Sequence, residues 1–422
     1  MKKIINHSVF ACATLSSALL TTSSFAADDI NISAILNFGY TDRADFAGIN
    51  TYGVDEHAEG LKDGFWNDHS EITISSNIDD MFFGKMTLAL DEHDGATELE
   101  LEEAFIQTTS LPNYFSVRAG RFLSNVGYLN AKHSHGDSFS DRPLVYRAFL
   151  NGHYYDDGLR VSWVAPTDTY LTLGSEIFKG GQQPAYSDKN IGAHTLFVKA
   201  GGDFDESNSW QLGASYLHTN NQASACSSHE HDEHDEHEEA HDEEHEEHHE
   251  DGHEEEHEAF GSCDFNGKKD YYMVDATWKW APNGNFKYES FTLSAEAFFV
   301  NEKGTLAHDE HEEEHEEEEH DHEESMVESI IDADHTGYYI SGVYQFKQHW
   351  SVGLRYSEID FDSPYEEDFK PTVTTAMVEY KHSHFSTVRL QYSQDKSTED
   401  LTDDQITLQF TMALGAHGAH EY

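Results

Sequence analysis

The chain has 422 residues with 81 acidic and 25 basic side chains, which gives a formal net charge of −56 when histidine is counted as neutral. A surface this acidic repels nucleic acid and attracts cations. We therefore do not expect a nucleic-acid-binding protein. The sequence also contains no recognisable arrangement of a nucleophile with acid–base residues, so we do not expect an enzyme.

Residues 1–26 have the layout of a secretory signal peptide. Lys2 and Lys3 precede the short apolar run VFACATLSSALL, and the small-residue pattern SSFA stands just before Ala27. This pattern is typical of a leader that is removed on export, and the apolar run is too short to span a bilayer as a helix. We therefore expect 27–422 to form the mature protein.

Two cysteines remain after that leader, Cys226 and Cys263. Exported proteins meet an oxidising environment, in which paired thiols form disulfides. We predict a disulfide between them, with zinc ligation by the two thiols as the alternative.

Much of the chain alternates between apolar and polar residues, which predicts β-strands. In FTLSAEAFFV, for example, Phe291 and Leu293 point to one face, while Thr292 and Ser294 point to the other. The strands are about ten residues or longer, which suffices to cross an outer membrane at a tilt. The polar face also carries charge, as at Arg355, and this suits a water-filled lumen.

These features predict an all-β fold, a porin-like transmembrane antiparallel β-barrel of about sixteen strands. We place the strands at 30–43, 66–78, 81–92, 97–109, 114–123, 157–166, 169–179, 192–203, 208–220, 269–281, 286–302, 334–347, 349–361, 371–383, 385–397 and 404–416. The even count puts both chain ends and the short turns on the periplasmic side. The first strand follows the leader so closely that we expect no N-terminal plug domain.

The long connection after the fifth strand, roughly 124–156, is predicted to fold inward and narrow the pore, by analogy with sixteen-stranded porins. Its histidines and aspartates either pass a cation or make ordinary polar loop contacts, and the sequence leaves both open. These candidate constriction residues are His133, His135, Asp137, Asp141, His153, Asp156 and Asp157. Glu98, Glu100 and Glu102 share one face of the fourth strand and are predicted to line the lumen. The isolated His57, His69, His93, His194 and His218 receive no predicted role.

Two segments rich in histidine and acid fall in outer loops at 221–267 and 304–333. The first arm, 229–258, holds ten histidines and eighteen carboxylates, and the second arm, 308–324, holds five histidines and twelve carboxylates. Imidazole binds Zn, Cu, Ni and Fe at neutral pH, and carboxylates extend the ligand set. The predicted metal ligands are His229, His231, His234, His237, His241, His245, His248, His249, His253, His257, His308, His311, His315, His320 and His322.

The motif H-E-x-x-H occurs several times in the arms, but a run of histidine and glutamate produces it by composition alone. A metalloprotease also needs a packed helix, a third ligand and a cleft. We therefore interpret the arms as metal-capturing segments. The alternative is a solvated acidic loop that only protects the cell surface.

The stretch VRAGRFLSNVGYLNAKHSHGDSFSDRPLVYRAFLNGHYYDDGLRVSWVAPTD resembles a family of proteobacterial outer-membrane proteins. They are described as zinc-regulated outer-membrane receptors or porin-like zinc proteins, distantly similar to phosphate-selective porins. The similarity covers about fifty residues and the ending GAHGAHEY. The matching pieces are Gly120 to Phe122, Leu129-Asn130, His133 to His135, Asp141 to Arg147, Asp157-Gly158 and Trp163 to Pro166.

The resemblance implies an outer-membrane zinc protein, and the chain departs from the family in two respects. Members are often labelled TonB-dependent, yet a plugged transporter has about twenty-two strands and a plug for which this chain has no room. Phosphate porins depend on a ladder of basic residues, and this acidic chain offers no obvious equivalent.

The sequence therefore favours an outer-membrane porin-like protein that captures divalent metal, chiefly Zn²⁺, on the arms and passes it through the barrel. The alternatives are a surface metal-sequestration protein with the barrel as its anchor, a general or anion-selective porin, and an atypical TonB-dependent receptor. The expected partners are outer-membrane lipid and divalent metal ions, and the sequence leaves open whether the barrels form homotrimers.

Overall fold

The computed structural model describes residues 30–44, 60–67, 69–93, 96–222, 265–309, 326–362, 369–399 and 401–415. These ranges contain one α-helix, α1 (Leu144–Leu150), and nineteen strands. The strands are β1 (Asn31–Arg43), β2 (Gly64–Trp66), β3 (Ser70–Asn77), β4 (Phe82–His93), β5 (Ala96–Thr108), β6 (Phe115–Leu123), β7 (Tyr155–Val164), β8 (Tyr170–Phe178), β9 (Gly181–Gln182), β10 (Ala185–Tyr186), β11 (Ala193–Asp205), β12 (Asn208–Asn221), β13 (Phe265–Trp280), β14 (Ser290–Asp309), β15 (Met326–Lys347), β16 (Trp350–Asp360), β17 (Thr372–Ser383), β18 (Ser386–Lys396) and β19 (Asp403–Gly415).

The strands close into one antiparallel barrel. β1 pairs with β19 on one side and with β2 and β3 on the other, while β8 pairs directly with β11. The short β2 extends the line of β3, and β9 and β10 form a separate hairpin. The remaining sixteen strands make the barrel wall, so the predicted fold and strand number are confirmed.

The barrel is apolar outside and polar inside. Along β1, Leu36, Phe38 and Tyr40 are about 40% exposed on the outer face, whereas Asn37 and Thr41 are buried on the inner face. This arrangement suits a wall between lipid and a polar lumen. Ring closure also pairs the backbone groups that lipid cannot satisfy. The fold and its apolar belt together place the chain in an outer membrane. No helix of the described residues is long and apolar enough to span a membrane.

The connections differ in length at the two ends of the barrel. The short-turn end holds tight turns such as the one between β11 and β12, and the start of β1 pairs there with the end of β19. The long-loop end holds the connections between β12 and β13 and between β14 and β15, which contain both arms. In barrels of this kind the long loops face the medium.

The strands beside the arms are longer than predicted. β14 continues to Asp309 and β15 begins at Met326, so the connection is shorter than the predicted 304–333. The 22 residues of β15 exceed the roughly ten needed to cross the membrane, which lifts the base of the second arm above the wall. His308 lies at the end of β14, and the arm histidines from His229 to His257 and from His311 to His322 lie outside the described residues, as do Cys226 and Cys263. Their predicted ligation and disulfide stay predictions.

The loop between β6 and β7 folds into the barrel, as predicted, and we call residues 124–154 the constriction loop. Its helix α1 is buried along its whole length. Tyr146 and Phe149 of α1 pack against Phe298 of β14, with ring centroids 5.2 and 6.2 Å apart. Tyr146 also donates a hydrogen bond to Glu296 of β14 (2.9 Å). Among the described residues the constriction loop, rather than a separate plug domain, fills the barrel interior.

Candidate metal centre

The constriction loop brings three histidines against the inner wall formed by β3 and β5. His133 Nε2 lies 2.8 Å from Glu103 Oε2, and His133 Nδ1 lies 3.2 Å from Glu102 Oε2. His135 Nδ1 lies 2.8 Å from Glu71 Oε1. His153 Nε2 lies 3.2 Å from Glu102 Oε1. Imidazoles of the loop therefore meet carboxylates of the wall inside the barrel.

A β-bulge allows Glu102 and Glu103 to face the same side. In the pairing of β4 with β5, Thr87 opposes Glu103 and Leu88 opposes Leu101, so Glu102 is the extra residue. A regular strand would direct one of the two glutamates into lipid, because successive side chains point to opposite faces. The bulge re-aims the backbone locally, and both carboxylates are buried inside the barrel.

His69 enters the cluster at the break between β2 and β3. Its φ of 51° lies in the left-handed region, which few residues other than glycine adopt. Its Nε2 lies 4.0 Å from Glu102 Oε1, and its ring meets the His153 ring edge-on at 5.6 Å. The interruption of the strand thus turns a third histidine toward Glu102.

The donor atoms form two overlapping groups of metal-ligating type. One group is His69, Glu102 and His153, and the other is Glu71, Glu102 and His133; within each, the ligand atoms lie within 4.8 Å of one another. Glu102 belongs to both groups, through Oε1 in the first and Oε2 in the second. We call the seven residues His69, Glu71, Glu102, Glu103, His133, His135 and His153 the His/Glu cluster.

Several of these polar atoms are buried without a hydrogen bond. They are Glu102 Oε2, His133 Nδ1 and His153 Nε2, each fully shielded from solvent. Buried polar atoms in native proteins are almost always hydrogen-bonded, since leaving one unpaired costs about 1–3 kcal/mol. All three atoms belong to the two donor groups, so an ion in each group would satisfy them.

Glu103 fixes the orientation of the His133 ring. Its carboxylate accepts from His133 Nε2 and also forms an ion pair with the ammonium of Lys85. A carboxylate that accepts from one ring nitrogen leaves the other nitrogen as the unprotonated metal donor, which is a common arrangement around bound zinc. In His133 that second nitrogen is Nδ1, which faces Glu71 and Glu102.

The charges of the cluster do not cancel when its histidines are neutral. Glu71, Glu102 and Glu103 carry three negative charges, and Lys85 carries one positive charge. Such an excess of buried charge needs compensation by a cation or a proton. Burial alone would lower the pKa of His133, but the carboxylates of Glu71 and Glu102 outweigh it and raise that pKa well above the ordinary value.

His153 differs from His133 although both lie in the constriction loop. Burial lowers the pKa of His153 to about 4, and the opposing effect of Glu102 is smaller. Its imidazole is therefore neutral at physiological pH, the form in which histidine binds metals.

Open space adjoins the cluster on two sides. A cavity of about 70 Å³ is lined by His69 and His153 together with Gly60 and Gly152. A second cavity, of about 160 Å³, is lined by His135 and by residues next to the turn between β17 and β18. The first lies toward the long-loop end and the second toward the short-turn end.

The predicted aspartates of the constriction lie outside this cluster. Asp137 pairs with Arg142, Asp141 with Arg355 of β16, and Asp157 with Arg121 of β6. Asp156 accepts hydrogen bonds from the backbone amides of Gly180 and Gly181. These contacts hold the constriction loop and its neighbours in place, and a role of the four aspartates in passing a cation stays a prediction.

The three histidines predicted in the constriction lie against the same wall, and the sequence did not select their partners there. Glu102 was predicted to face the lumen, and it does; Glu100 also faces inward and accepts from the Tyr155 hydroxyl. The side chain of Glu98 is outside the described residues. Glu71, Glu103 and His69 were missed. The doublet Glu102-Glu103 was the available signal, because a regular strand does not place adjacent carboxylates in one lumen.

No protein-family model matches the chain. An uncharacterized protein of Aquifex aeolicus (strain VF5) is 27% identical over 397 residues, which cover 88% of this chain and 73% of that protein.

Solved structures of outer-membrane barrels resemble the chain, among them three with a TM-score of 0.53. The outer membrane channel DcaP of Acinetobacter baumannii is 11% identical, with 94% of this chain and 100% of that chain covered. The anion-selective porin from Comamonas acidovorans is 10% identical, with 92% and 99% covered. A loop L8 deletion mutant of OmpT, an outer membrane protein of Vibrio cholerae, is 11% identical, with 92% and 100% covered. At these identities the likeness concerns the fold alone, which is a porin-like outer-membrane barrel.

Proposed function

We propose that the protein is an outer-membrane channel that gathers divalent metal, chiefly Zn²⁺, on its two arms and passes it through the barrel. The observation that carries this proposal is the His/Glu cluster. Imidazole and carboxylate are the ligands that bind zinc and its neighbours in the first transition series, and here they meet in the barrel interior on the constriction loop.

The arms supply the capture step. They contain thirty carboxylates and no lysine or arginine, and they connect strands at the long-loop end. A negative field at the mouth raises the local concentration of cations. The arms and the interior cluster thus offer metal ligands in series, first in solution and then inside the barrel.

An anion-conducting porin is the second candidate, and one observation favours it. A cavity of about 860 Å³ near the short-turn end is lined by Lys132, Lys199 and Lys279. Three ammonium groups attract anions, although three carboxylates, those of Asp203, Asp205 and Glu206, line the same cavity. A metal channel would select its ion through the acidic arms and the His/Glu cluster, whereas an anion porin would select it through the lysines of this cavity.

Planar-bilayer recording with full-length protein distinguishes these functions. Under a salt gradient, a metal channel gives a reversal potential on the cation side, and micromolar Zn²⁺ changes its conductance by occupying the interior. The variant E102Q should lose the zinc effect. The matched control E302Q, which alters a buried wall carboxylate paired with Lys269 and His335, should retain it. An anion-side reversal potential without any zinc effect would overturn the proposal in favour of the porin.

Deletion of the arms tests capture separately from passage. Removing 229–258 and 308–324 should reduce zinc uptake at low external zinc and leave the interior zinc effect on conductance intact. If zinc-limited growth needs the barrel but is indifferent to the arms, the arms are not the capture device. If the arms bind zinc on cells but neither deletion changes uptake, the protein sequesters metal and the barrel is its anchor. Homotrimer formation stays a prediction, which cross-linking in membranes tests.

A further inference from the structure

We propose that the His/Glu cluster binds two divalent metal ions, bridged by the carboxylate of Glu102, and that these ions fasten the constriction loop to the barrel wall. The inference rests on the proposed function in one respect, since it concerns the cluster by which metal would pass.

The spacing of the donors fits the first ion. Zinc bonds to nitrogen and oxygen are about 2.0–2.2 Å long, so neighbouring donors around a tetrahedral ion lie about 3.3–3.6 Å apart. Glu102 Oε1 lies 3.2 Å from His153 Nε2 and 4.0 Å from His69 Nε2. A shift of a few tenths of an ångström by His69 brings its distance to Glu102 into that range, and all three donor atoms lie within 4.8 Å of one another.

The second ion has its own set of donors. His133 Nδ1 lies 3.2 Å from Glu102 Oε2 and 3.4 Å from Glu71 Oε2. Both distances are those expected between two ligands of one tetrahedral ion. Glu71 Oε1 is also bonded to His135, which fixes the carboxylate with its other oxygen toward His133.

A metal-free ion-pair network is the competing explanation for these contacts. In such a network a doubly protonated His133 would direct its Nδ1 proton at one carboxylate oxygen. Instead, Nδ1 lies within ion-pair distance of two carboxylates, at 3.2 and 3.4 Å, without the alignment of a hydrogen bond to either. Glu102 Oε2 and His153 Nε2 also lie 3.2 Å from a charged neighbour without an aligned hydrogen bond. Buried donors that face one another in this way fit ions better than protons, because an ion in each donor group would bind the donors of that group together.

The two oxygens of Glu102 face different donor groups, and this makes the carboxylate a bridge. Oε1 faces His69 and His153, whereas Oε2 faces His133. Ions in two-metal protein sites lie about 3.5–4 Å apart, a separation that a bridging carboxylate spans. The bulge at Glu102, which turns this residue inward beside Glu103, is what makes the bridge available.

The ligands of each ion come from both the loop and the wall. His153 belongs to the constriction loop, while His69 and Glu102 belong to the wall; His133 belongs to the loop, while Glu71 belongs to the wall. Each ion therefore cross-links two parts of the chain distant in sequence. Metal removal should loosen the constriction loop and leave the barrel closed.

The test uses full-length protein extracted from membranes, stripped of metal and titrated with Zn²⁺ in competition with a chelator. The competition separates the interior ions from those held weakly by the arms. Wild type should bind two zinc ions in the tight class, and X-ray absorption should show metal–metal scattering near 3.5 Å. Wild type that binds no tight zinc, or a single ion without metal–metal scattering, overturns the inference whatever the variants do.

Variants assign the two ions. H153A should remove one tight ion, H133A the other, and E102A both, whereas E302Q should keep two. If E102A removes only the ion that H153A removes, the bridge is refuted. Hydrogen exchange of the constriction loop should rise when zinc is stripped from wild type, and unchanged exchange refutes the fastening role.

Failure of the two-ion site can be distinguished from failure of the proposed channel function. Two tight ions in a barrel whose conductance ignores zinc would support the site and reject its place in passage. Zinc-sensitive conductance without tight ions would reject the site and leave the channel.

Discussion

Glu103 lends itself to a quantitative prediction because it touches His133 but no proposed metal position. In E103Q, the amide keeps the size of the carboxylate but loses its charge, so the side-chain oxygen that accepts from Lys85 and from His133 Nε2 becomes a weaker acceptor. The tautomer with the proton on Nδ1, the atom that faces Glu71 and Glu102, then becomes more populated. A protonated Nδ1 cannot bind a metal, so the ion held by Glu71, Glu102 and His133 should be weakened.

The size of the effect follows from the role of Glu103. Loss of a group that orients a metal-binding histidine typically lowers affinity about 10–100-fold, which is about 1.4–2.7 kcal/mol in binding free energy. The ion held by His69 and His153 does not contact Glu103 through a shared ligand atom and should change by less than about threefold. The chelator competition titration with zinc measures both affinities in one protein.

The control for this experiment is E100Q. Glu100 lies on the same strand, faces inward and accepts a hydrogen bond from Tyr155, but it belongs to neither donor group. E100Q should bind both ions as wild type does. Equal affinities in E103Q and E100Q would refute the assignment of Nδ1 as a ligand, and an equal loss of both ions in E103Q would show that Glu103 acts on the whole cluster.

Three further predictions concern the surroundings of the cluster. K85M should tighten zinc binding several-fold in the same titration, because the Lys85 ammonium competes with His133 for Glu103 and repels cations; weaker binding would contradict this. E296A should leave the barrel folded but loosen the constriction loop by about 3 kcal/mol, since Glu296 accepts hydrogen bonds from the Tyr146 hydroxyl and from the backbone amides of Tyr128 and Leu129; unchanged hydrogen exchange of the loop would refute it. Zinc binding by the arms should fall as pH drops through about 6.5, because protons displace metal from ordinary histidines; binding that persists at pH 5 in a protein with a disabled cluster would refute it.

The barrel was predictable because lipid imposes a strict rule on every strand. Outward positions must be apolar and inward positions are wet, so side chains alternate, as Leu36, Phe38 and Tyr40 do against Asn37 and Thr41. The inward loop followed from its length and its place after the fifth strand. The long strands beside the second arm were not predictable, because the acidic residues there give no alternation to extend.

Only the loop histidines of the His/Glu cluster were predictable, because the wall residues depend on irregular backbone. His133, His135 and His153 lie in a loop rich in polar residues and were therefore predicted as candidate constriction residues. Glu103 and His69 depend on a bulge and on a left-handed residue, and alternation assigns the wrong direction wherever a strand is irregular. The irregularities of this wall lie where its donors converge, which is where such features concentrate in other proteins.

A site with several pre-arranged ligands poses a difficulty for passage, because a conducting site must release its ion as well as bind it. Two ions bound to opposite oxygens of Glu102 would allow both tight binding and release. Each repels the other across a few ångströms, so entry of a second ion weakens the hold on the first, as between adjacent sites in ion channels. The ion leaving toward the cavity beside His135 would thus be expelled by the one arriving beside His69 and His153.

Repulsion between the two ions predicts that bound zinc is released at a rate that rises with the concentration of free metal. Isotopically labelled zinc, loaded at the tight sites, should leave wild type faster as free Zn²⁺ rises through the range in which the second ion binds. In H133A, which keeps a single ion, the release rate should be independent of free zinc, and E302Q should behave as wild type. A wild-type rate that ignores free zinc would mean that the two ions do not communicate through Glu102. They would then fasten the constriction loop without taking part in transport.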